Sequence, residues 1–507
     1  MTSPTTQAAL GVLMPGFESA RPEDPGAPHD TRAHGVPEWL KQPLRDGLGG
    51  VCLFAVNTPD LVTTRALTDR LRELGPQVCI TVDEEGGDVT RLQRTRGSDL
   101  PGNAALGAID DLDLTARVGA ATGRIVRAAG IDLTLAPCVD IASNPHNSVI
   151  GTRSFGPDPD LVSRHATAWL QGLHEAGVGG CAKHFPGHGD TAVDSHVGLP
   201  AIEMDEATLA TRELRPFADL AGSVDAFMPG HIVVPRLGPD PASLSRWAYD
   251  RIRAVGFAGP TITDALEMGA ISSEHGIGEA VVRALESGAD LCCLGSPMNS
   301  DQAAALEMSV AAIEAAVESG RLSLQRLRAS ASRVRTMLGE VHRRWLSVED
   351  PDPATAEQGL AELGLEVARR AVLITDDVRL TGAPVVVDCR RTINQASARF
   401  SSGVLDALTE ALALQGSPAP EVLEVENLAQ AAGRPIVAIT RQPLTPGPEA
   451  DAWQQLSQER PDAIVVHVGM AQSAPACERL VRCHGGGRSN TRAAVEALLG
   501  TEVAWSR

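Results

Sequence analysis

The chain has 507 residues, a length that suits two domains, one of them large. Its 44 Lys and Arg residues against 64 Asp and Glu give a net charge of −20, which excludes the basic surface that nucleic acid or an anionic membrane requires of a partner. The nine cysteines are an odd number, most of them lie in apolar runs, and no CxxC spacing occurs. This pattern favours reduced, buried thiols over a disulfide framework or a zinc site.

The N-terminus lacks both the basic start and the long apolar stretch of a signal peptide. No apolar run approaches the ~20 residues needed to cross a bilayer. We therefore expect a cytoplasmic protein without a membrane partner. The oligomeric state stays open, with a monomer as the expectation.

Short apolar runs alternate with amphipathic helical stretches through the first two-thirds of the chain. The runs cover residues 8–14, 49–56, 77–83, 133–140, 178–183, 226–231, 260–265 and 290–295. Because they are continuously apolar, they predict strands buried on both faces of a parallel sheet. Eight β-then-α units predict an α/β fold of the (β/α)8 TIM-barrel type, with a doubly wound open sheet as the rival.

Polar residues follow most of these runs directly. They are Asn57, Asp83-Glu84-Glu85, Asp140, Lys183-His184, His231 and, within the seventh run, Asp264. TIM barrels place their chemistry at the C-terminal ends of the strands, whereas an open sheet does not normally carry polar residues on nearly every strand end. The pattern therefore favours the barrel and predicts that these side chains share one site.

The last third of the chain predicts a second domain. Helical stretches at 301–319 and 322–345 complete a barrel domain of residues 1–346, and the acidic, Pro-containing residues 347–360 predict a linker. Four more apolar runs (371–375, 383–389, 435–440 and 462–470) predict a smaller α/β layered (sandwich) domain over 361–507. Within it, CHGGGRSN (483–490) is either a Gly-rich turn or an anion-binding turn at the start of the last helix.

The stretch from Lys183 to Pro200, KHFPGHGDTAVDSHVGLP, combines a high density of His and Asp with several Gly and Pro residues. Unpaired ionisable groups lose their water in a buried strand, so the stretch predicts a loop over a polar pocket. Asp194 precedes His196 by two residues, a spacing that lets the carboxylate hold the imidazole in one tautomer. This arrangement is typical of an oriented general acid/base.

Residues elsewhere in the chain extend the predicted pocket. Asp264 in TITDALEM ends a buried strand, where a carboxylate serves catalysis or caps the next helix. Asp83 precedes Gly86-Gly87, which would let the backbone approach a ligand closely. Arg91 and Arg153 offer planar donor forks for hydroxyl groups or a carboxylate.

Several functions fit these residues. In the first, a glycosidase uses Asp264 as nucleophile and His196 as proton shuttle. In the second, a metal-dependent hydrolase binds a divalent ion through His184, His188, Asp190 and His196. The metal hypothesis lacks a rigid i, i+4 His pair and places the charge of Lys183 beside the ion. A non-catalytic binding module is disfavoured because both catalytic partners of the first function are present.

The motifs resemble those of glycoside hydrolase family 3. The resemblance rests on KHFPGHGDTAVDSHVGLP, with VDEEGGDVTRL before it and TITDALEM after it, and covers residues from about 8 to 300. Within the family the chain resembles the two-domain bacterial β-N-acetylglucosaminidases (exo-β-N-acetylhexosaminidases) of cell-wall recycling. The resemblance implies a retaining mechanism in which Asp264 attacks the anomeric carbon and His196, paired with Asp194, acts first as acid and then as base.

The resemblance also implies how the substrate is bound. Five residues match family positions that hold the N-acetylglucosamine unit: Asp83, Arg91, Arg153, Lys183 and His184. Expected substrates are N-acetylglucosaminides such as muropeptide fragments, with no cofactor and no metal. A neutral imidazole in place of the usual acid carboxylate does not repel an anion, so a phosphorylase that uses phosphate instead of water stays an alternative.

Overall fold

The computed structural model describes residues 2–19, 35–191, 198–375, 378–390, 403–431 and 433–505, and in these ranges the fold is α/β, as predicted. The first strands are β1 (Leu13–Pro15), β2 (Gly50–Leu53), β3 (Cys79–Val82), β4 (Leu133–Thr134), β5 (Gly179–Phe185), β6 (Ala226–Pro229) and β7 (Cys292–Gly295). The helices of the same part are α1 (Pro4–Leu10), α2 (Glu38–Arg45), α3 (Leu61–Leu74), α4 (Asn103–Ile109), α5 (Leu112–Ala128), α6 (Pro159–Glu175), α7 (Glu206–Thr208), α8 (Arg215–Leu220), α9 (Arg246–Ala254), α10 (Gly269–Ser272), α11 (Ile277–Ser287), α12 (Gln302–Glu318) and α13 (Leu324–Leu346).

The pairings among the first seven strands are all parallel. Strands β2 to β6 form one sheet in sequence order, and β1 pairs with β7. Isolated parallel bridges join Gly16 to Cys52, Phe227 to Thr261, and Ile262 to Leu291. Parallel neighbours need a crossover connection, and helices such as α3, α5 and α6 supply it, each with an Asp side chain capping its first turn. The result is a curled parallel sheet whose C-terminal strand ends meet.

Two predicted strands differ in the structure. The run 8–14 begins in a helix: Ser3 caps α1 through the N–H of Thr6, Pro4 stands at the first helical position, and strand β1 begins only at Leu13. The run 260–265 forms isolated bridges at Thr261 and Ile262 instead of a regular strand. Continuous apolar character therefore indicated burial correctly in both places but not the type of element.

Sulfur-containing side chains line one side of the curled sheet. Met14, Cys52, Cys79, Cys181 and Cys293 pack together there, while a larger aliphatic cluster lies between the sheet and its helices. All nine cysteines lie in the described ranges and are free; eight are buried and Cys477 is partly exposed. The predicted reduced, buried thiols are thus present.

A second sheet occupies the last part of the chain. Its strands are β8 (Leu373–Ile374), β9 (Val385–Asp388), β10 (Glu421–Val422), β11 (Ile436–Thr440), β12 (Ile464–His467) and β13 (Leu480–Arg482), and its helices are α14 (Leu360–Ala371), α15 (Gly403–Leu414), α16 (Pro448–Glu459) and α17 (Arg488–Leu499). The order is β10-β9-β11-β12-β13-β8, parallel except for β8, with an apolar cluster on each face. Contrary to prediction, the run 371–375 is not a buried strand, because Leu373 and Ile374 are 46% and 48% exposed at the sheet edge.

The segment between the two sheets packs closely. Leu360 and Val367 of α14 belong to the apolar cluster of the first sheet, and Arg369 of the same helix pairs with Glu496 of α17. The domain limits at 346 and 361 stay predictions. Across the helices of the described ranges, none is both long enough and apolar enough to traverse a membrane.

Candidate active site

Lys183, near the C-terminal end of β5, joins the carboxylates that follow β3. Its Nζ lies 2.6 Å from Asp83 Oδ1 and 2.7 Å from Glu85 Oε1, and its side chain is 3% exposed. A buried ammonium needs such partners because it has lost its water. Burial works against the charged form, but Asp83 and Glu85 outweigh it and raise the pKa of Lys183, which therefore stays charged.

Arg153 adds a second cation to the same carboxylate. Its Nε and Nη2 donate to Glu85 Oε2 and Oε1 at 3.0 and 2.8 Å. Burial alone would raise the pKa of Glu85, but the charges of Arg153 and Lys183 lower it to about 2. Glu85 was noted in the sequence only as one of three acidic residues after a strand, and the structure shows that it fixes both cations.

His184 is held between a carboxylate and a guanidinium. Its Nδ1 lies 2.7 Å from Asp140 Oδ2, and its Nε2 lies 3.3 Å from Arg153 Nη2. Because a guanidinium only donates hydrogen bonds, Nε2 is the acceptor and Nδ1 carries the proton that His184 donates to Asp140. The contact with His184 outweighs the effect of burial and holds the pKa of Asp140 well below its usual range.

Asp140 organises the backbone around this histidine as well. Its Oδ1 accepts the backbone N–H groups of His184 and His188 at 3.1 and 2.7 Å, and its Oδ2 accepts the thiol of Cys138 at 3.1 Å. The sequence predicts Asp140 as one of the polar residues at strand ends but indicates no role for it.

Arg91 lies on the loop after β3, with its Nη2 3.8 Å from Asp83 Oδ2. Glu84 fixes that loop, because its Oε2 accepts from Thr90 Oγ1 and from the N–H groups of Arg91 and Leu92, each at 2.9 Å. Burial raises the pKa of Glu84 to about 7 although all three hydrogen bonds oppose this. The structure thus brings Asp83, Arg91, Arg153, Lys183 and His184 together.

Asp264 follows the bridge at Ile262 and is partly exposed. Its N–H donates to Pro229 O at 3.2 Å, and its Oδ1 accepts the N–H of Ala265 at 2.8 Å. His231, predicted to face the site, braces this segment because its Nε2 donates to Ala265 O at 2.8 Å. The alternative role of Asp264 as a helix cap is wrong, since α10 begins five residues later with Met268 at its N-cap.

The charges of Asp264, Asp83 and Lys183 act on one thiol. Burial is the main reason why the pKa of Cys181 is raised; Lys183 opposes the rise, and Asp83 and Asp264 add to it. Cys181 belongs to the sulfur-lined side of the sheet.

Asp194 and His196 lie in residues 192–197, outside the described ranges. Nearer the start of the same stretch, His188 Nδ1 lies 2.6 Å from Thr191 Oγ1, and Asp190 pairs with Arg212 at 2.8 Å. Burial lowers the pKa of His188 to about 4, so this imidazole is neutral near pH 7. The metal ligands proposed from sequence thus differ from the donor group found among the described residues, which consists of Cys138, Asp140 and His184.

Asp88, on the loop after β3, receives contacts from residues of the second part of the chain. Asp88 accepts from Thr152 Oγ1 and from the N–H of Gly486, both at 2.8 Å, and it pairs with Arg441. The CHGGGRSN turn therefore does bind an anion, and the anion is a carboxylate of the same chain. A small cavity of about 10 Å³ lies beside these contacts and is bordered by Asp88, Thr152, Arg153 and Arg441.

Gly87 lets the backbone pack closely where the two parts of the chain meet. A Cβ at Gly87 would lie 2.6 Å from the Cα of Gly102, and one at Gly487 would lie 3.4 Å from the Cα of Gly87. The close approach predicted for the Gly86-Gly87 pair is thus made by the protein's own backbone.

Comparisons with known proteins found similar sequences and structures. Residues 10–337 match the glycosyl hydrolase family 3 N-terminal domain. The chain is 34% identical to a β-hexosaminidase of Pseudomonas aeruginosa over 284 residues, which are 55% of this chain and 83% of that protein. It is 32% identical to β-hexosaminidase A of Pseudoalteromonas piscicida over 325 residues, 59% of this chain, and spans only 54% of that relative's length.

A solved structure matches both parts of the chain. It is a glycoside hydrolase family 3 β-N-acetylglucosaminidase from Paenibacillus sp. str. FPU-7, with a TM-score of 0.81 and 28% sequence identity, covering 98% of this chain and 97% of that one. The Pseudomonas match, in contrast, takes in little more than half of this chain. The likeness to the Paenibacillus protein therefore extends through the second sheet as well as the first.

Proposed function

The chain belongs to glycosyl hydrolase family 3, and from this premise we propose that it is a retaining hydrolase that removes β-linked N-acetylglucosamine from the non-reducing end of glycosides. The family membership indicated by the sequence motifs is confirmed by the match over residues 10–337. The names of similar proteins, β-hexosaminidase and β-N-acetylglucosaminidase, support the proposed activity.

We infer a (β/α)8 barrel for the first part of the chain. Support comes from the order of the parallel pairings, which run from β1 to β2 through the Gly16–Cys52 bridge and then strand by strand to β6. The Phe227–Thr261 and Ile262–Leu291 bridges continue them towards β7, which pairs again with β1. In such a barrel the site faces the C-terminal strand ends, where Asp83 and Lys183 are found.

The observation that carries the proposal is the continuous chain of ion pairs and hydrogen bonds from Asp83 through Lys183, Glu85, Arg153 and His184 to Asp140. Each cation has a fixed carboxylate partner, so its remaining N–H groups are oriented before a ligand arrives. Such preorganised donors suit the hydroxyl and acetamido oxygens of one sugar unit.

The reaction proposed for this site has two steps. Asp264 attacks the anomeric carbon while His196, oriented by Asp194, gives a proton to the leaving oxygen, so that a glycosyl ester forms and the alcohol departs. His196 then takes a proton from water, the resulting hydroxide attacks the same carbon, and the ester bond to Asp264 breaks. Two inversions give net retention of the β configuration.

The natural aglycone and the location belong to the same proposal. Muropeptide fragments are the expected substrates, by resemblance to the enzymes of cell-wall recycling. A cytoplasmic location agrees with nine free cysteines, which an oxidising compartment would tend to pair.

Product analysis with a chromogenic N-acetyl-β-glucosaminide, with and without phosphate, tests the proposal. We expect free N-acetylglucosamine of β configuration as first product in both conditions, and much slower cleavage of the matched β-glucoside. A sugar phosphate formed in the presence of phosphate would establish the phosphorylase alternative. Equal rates on the glucoside and the N-acetylglucosaminide would contradict the proposed specificity.

A further inference from the structure

Three side chains below the sugar site form a compact set of metal-type donors. The Sγ of Cys138 and the Nδ1 of His184 both contact Asp140 Oδ2, at 3.1 and 2.7 Å, and the donor atoms of all three residues lie within 4.8 Å of one another. Cys138 and Asp140 are fully buried and His184 is 6% exposed. A thiolate, an imidazole and a carboxylate are the ligand types that zinc uses in proteins.

We propose that Cys138, Asp140 and His184 form an inhibitory site for thiophilic divalent cations such as Zn²⁺ and Cd²⁺. Binding itself does not depend on what reaction the enzyme performs. The inhibition rests on the proposed function, because it acts through His184, which is assigned there to the sugar site.

The two donor distances to Asp140 lie close to those around a bound ion. Zn–S bonds of about 2.3 Å and Zn–N or Zn–O bonds of about 2.0 Å place tetrahedral donor atoms about 3.3 to 3.5 Å apart. The two distances to Asp140 Oδ2 are now 2.7 and 3.1 Å, as expected for hydrogen bonds that the ion would replace. Three protein ligands leave the fourth position for water, as in an open zinc site.

The charges around the set make it selective. Arg153 touches His184, so a cation gains little from electrostatic attraction alone and must gain from the bond to sulfur. Soft cations bind thiolates, whereas Mg²⁺ and Ca²⁺ prefer oxygen ligands and more of them. We therefore expect Zn²⁺ and Cd²⁺ to bind here and Mg²⁺ and Ca²⁺ not to.

Binding changes the protonation of two groups in a balanced way. The Cys138 thiol gives its proton to solvent as the sulfur–metal bond forms. His184 loses its proton from Nδ1 to bind the ion and regains one on Nε2, so the imidazole stays neutral and one proton is released in total. The new Nε2–H then points at the N–H of Arg153, two donors that cannot bond to each other, so the contact that orders the sugar site is lost.

The route to the site follows from the burial of its members. Because His184 keeps some exposure and the other two residues have none, the ion arrives past the imidazole, from the sugar pocket. A sugar bound in that pocket should block the ion. Binding of N-acetylglucosamine and of metal should therefore be mutually exclusive.

The test uses the full chain, freed of metal and titrated with Cd²⁺ while the ultraviolet sulfur-to-cadmium absorption and the hydrolytic activity are recorded. We compare the wild type with Cys138→Ser, whose hydroxyl can still donate to Asp140, and with Cys477→Ser as matched control. Cys477 is the partly exposed thiol, where adventitious binding is easiest. The wild type and Cys477→Ser should show the absorption and an inhibition that EDTA reverses, and Cys138→Ser should need at least tenfold more Cd²⁺ for either.

Equal absorption and inhibition in Cys138→Ser would overturn the proposal. If that variant does not fold, the wild type is titrated with Cd²⁺ in the presence and absence of N-acetylglucosamine. The sugar should raise the Cd²⁺ concentration for half-maximal absorption, and the absence of this effect would contradict the proposed site. The metal-free wild type could show no hydrolytic activity and still give a cadmium absorption that Cys138→Ser lacks. That result would refute the proposed function and support the metal site.

Discussion

Arg441 and Asp88 lie 353 residues apart in the chain and form an ion pair that joins the second sheet to the loop after β3. Asp88 is largely buried and also accepts from Thr152 Oγ1. Thr152 precedes Arg153, and Asp88 follows Glu85 by three residues, so one carboxylate ties together the two loops that carry the Arg153–Glu85 pair. The second part of the chain thus stabilises the Arg153–Glu85 pair of the sugar site, although both residues of that pair belong to the first part.

We expect Arg441→Gln to weaken both the fold and substrate binding. Removing the partly exposed Arg441 costs Asp88 its charged donor and leaves it two neutral ones, at a cost of roughly 1–3 kcal/mol in the free energy of unfolding. The loosened loops should raise the KM for an N-acetylglucosaminide several-fold, with a smaller change in kcat. Urea unfolding and steady-state kinetics measure the two effects.

Arg434→Gln is the matched control for this prediction, since Arg434 pairs with Glu421 inside the second part of the chain. It should leave KM unchanged. If Arg441→Gln and Arg434→Gln behave alike in KM, the Asp88 contact does not order the sugar site.

The sequence predicted those parts of the site that depend on where strands end. Asp83 and Lys183 stand after or near the ends of neighbouring parallel strands, and such ends meet at one edge of a sheet, so their proximity followed from the fold class. The sequence did not predict which charged side chains pair. Glu85 pairs with Arg153, 68 positions away, and Asp140 with His184, 44 positions away. Only the folded chain brings those charges together.

Other differences have equally physical causes. An apolar run indicates burial but not backbone geometry, which is why the strand predicted over residues 8–14 begins only at Leu13, after helix α1. Gly87 predicted a close approach of the backbone to another group but did not identify that group. In the structure it is the backbone of Gly102. Asp194 and His196 stay predictions, since they lie outside the described residues.

Asp264→Ala should lower turnover of every substrate by at least about 10³-fold, because the variant has no nucleophile to form the glycosyl ester. Asp264→Asn is the sharper variant, since its amide oxygen can still accept the N–H of Ala265. Both should keep the circular dichroism spectrum of the wild type. Added azide should react in the space left by the Ala variant and give a glycosyl azide of inverted, α configuration.

Near-normal turnover in either variant would refute the assignment of Asp264. A glycosyl azide of β configuration would instead show that another residue still forms the covalent intermediate.

His196→Ala should slow substrates with poor leaving groups, such as sugars, far more than activated aryl glycosides that depart without a proton. An imidazole starts near a pKa of ~6.5 and a neighbouring carboxylate favours its protonated form, so it can serve as acid near neutral pH. Asp194→Ala should show the same pattern in milder form. Equal slowing of both substrate types would mean that His196 binds the sugar or shapes the loop.

Glu213 lies directly below the loop that leads towards residues 192–197. It is 1% exposed, and a Cβ added to Gly187 of that loop would lie 2.4 Å from its Oε2. Arg212 donates to Oε1 at 2.7 Å, while Oε2 has no hydrogen-bond partner among the described residues. Burial, only partly offset by Arg212, raises the pKa of Glu213 from its ordinary 4.5 to about 7.

This raised pKa predicts a pH-dependent effect of Glu213→Gln on stability. A carboxyl group whose pKa is higher in the folded than in the unfolded state favours folding when protonated, so its contribution is complete below about pH 4.5 and is lost as the pH rises through about 7. Glutamine keeps the acceptor for Arg212 and never ionises. Relative to wild type, the variant should therefore gain on the order of 3 kcal/mol in unfolding free energy between pH 5 and pH 8.

Urea unfolding of both proteins at pH 5, 6, 7 and 8 measures this difference. Glu307→Gln, at an exposed position of α12, is the control and should follow the wild type at every pH. The sign decides between two physical pictures. If the unfolding free energy of Glu213→Gln falls relative to wild type as the pH rises, Glu213 is ionised in the folded protein and stabilised by Arg212. In that case burial does not control its protonation.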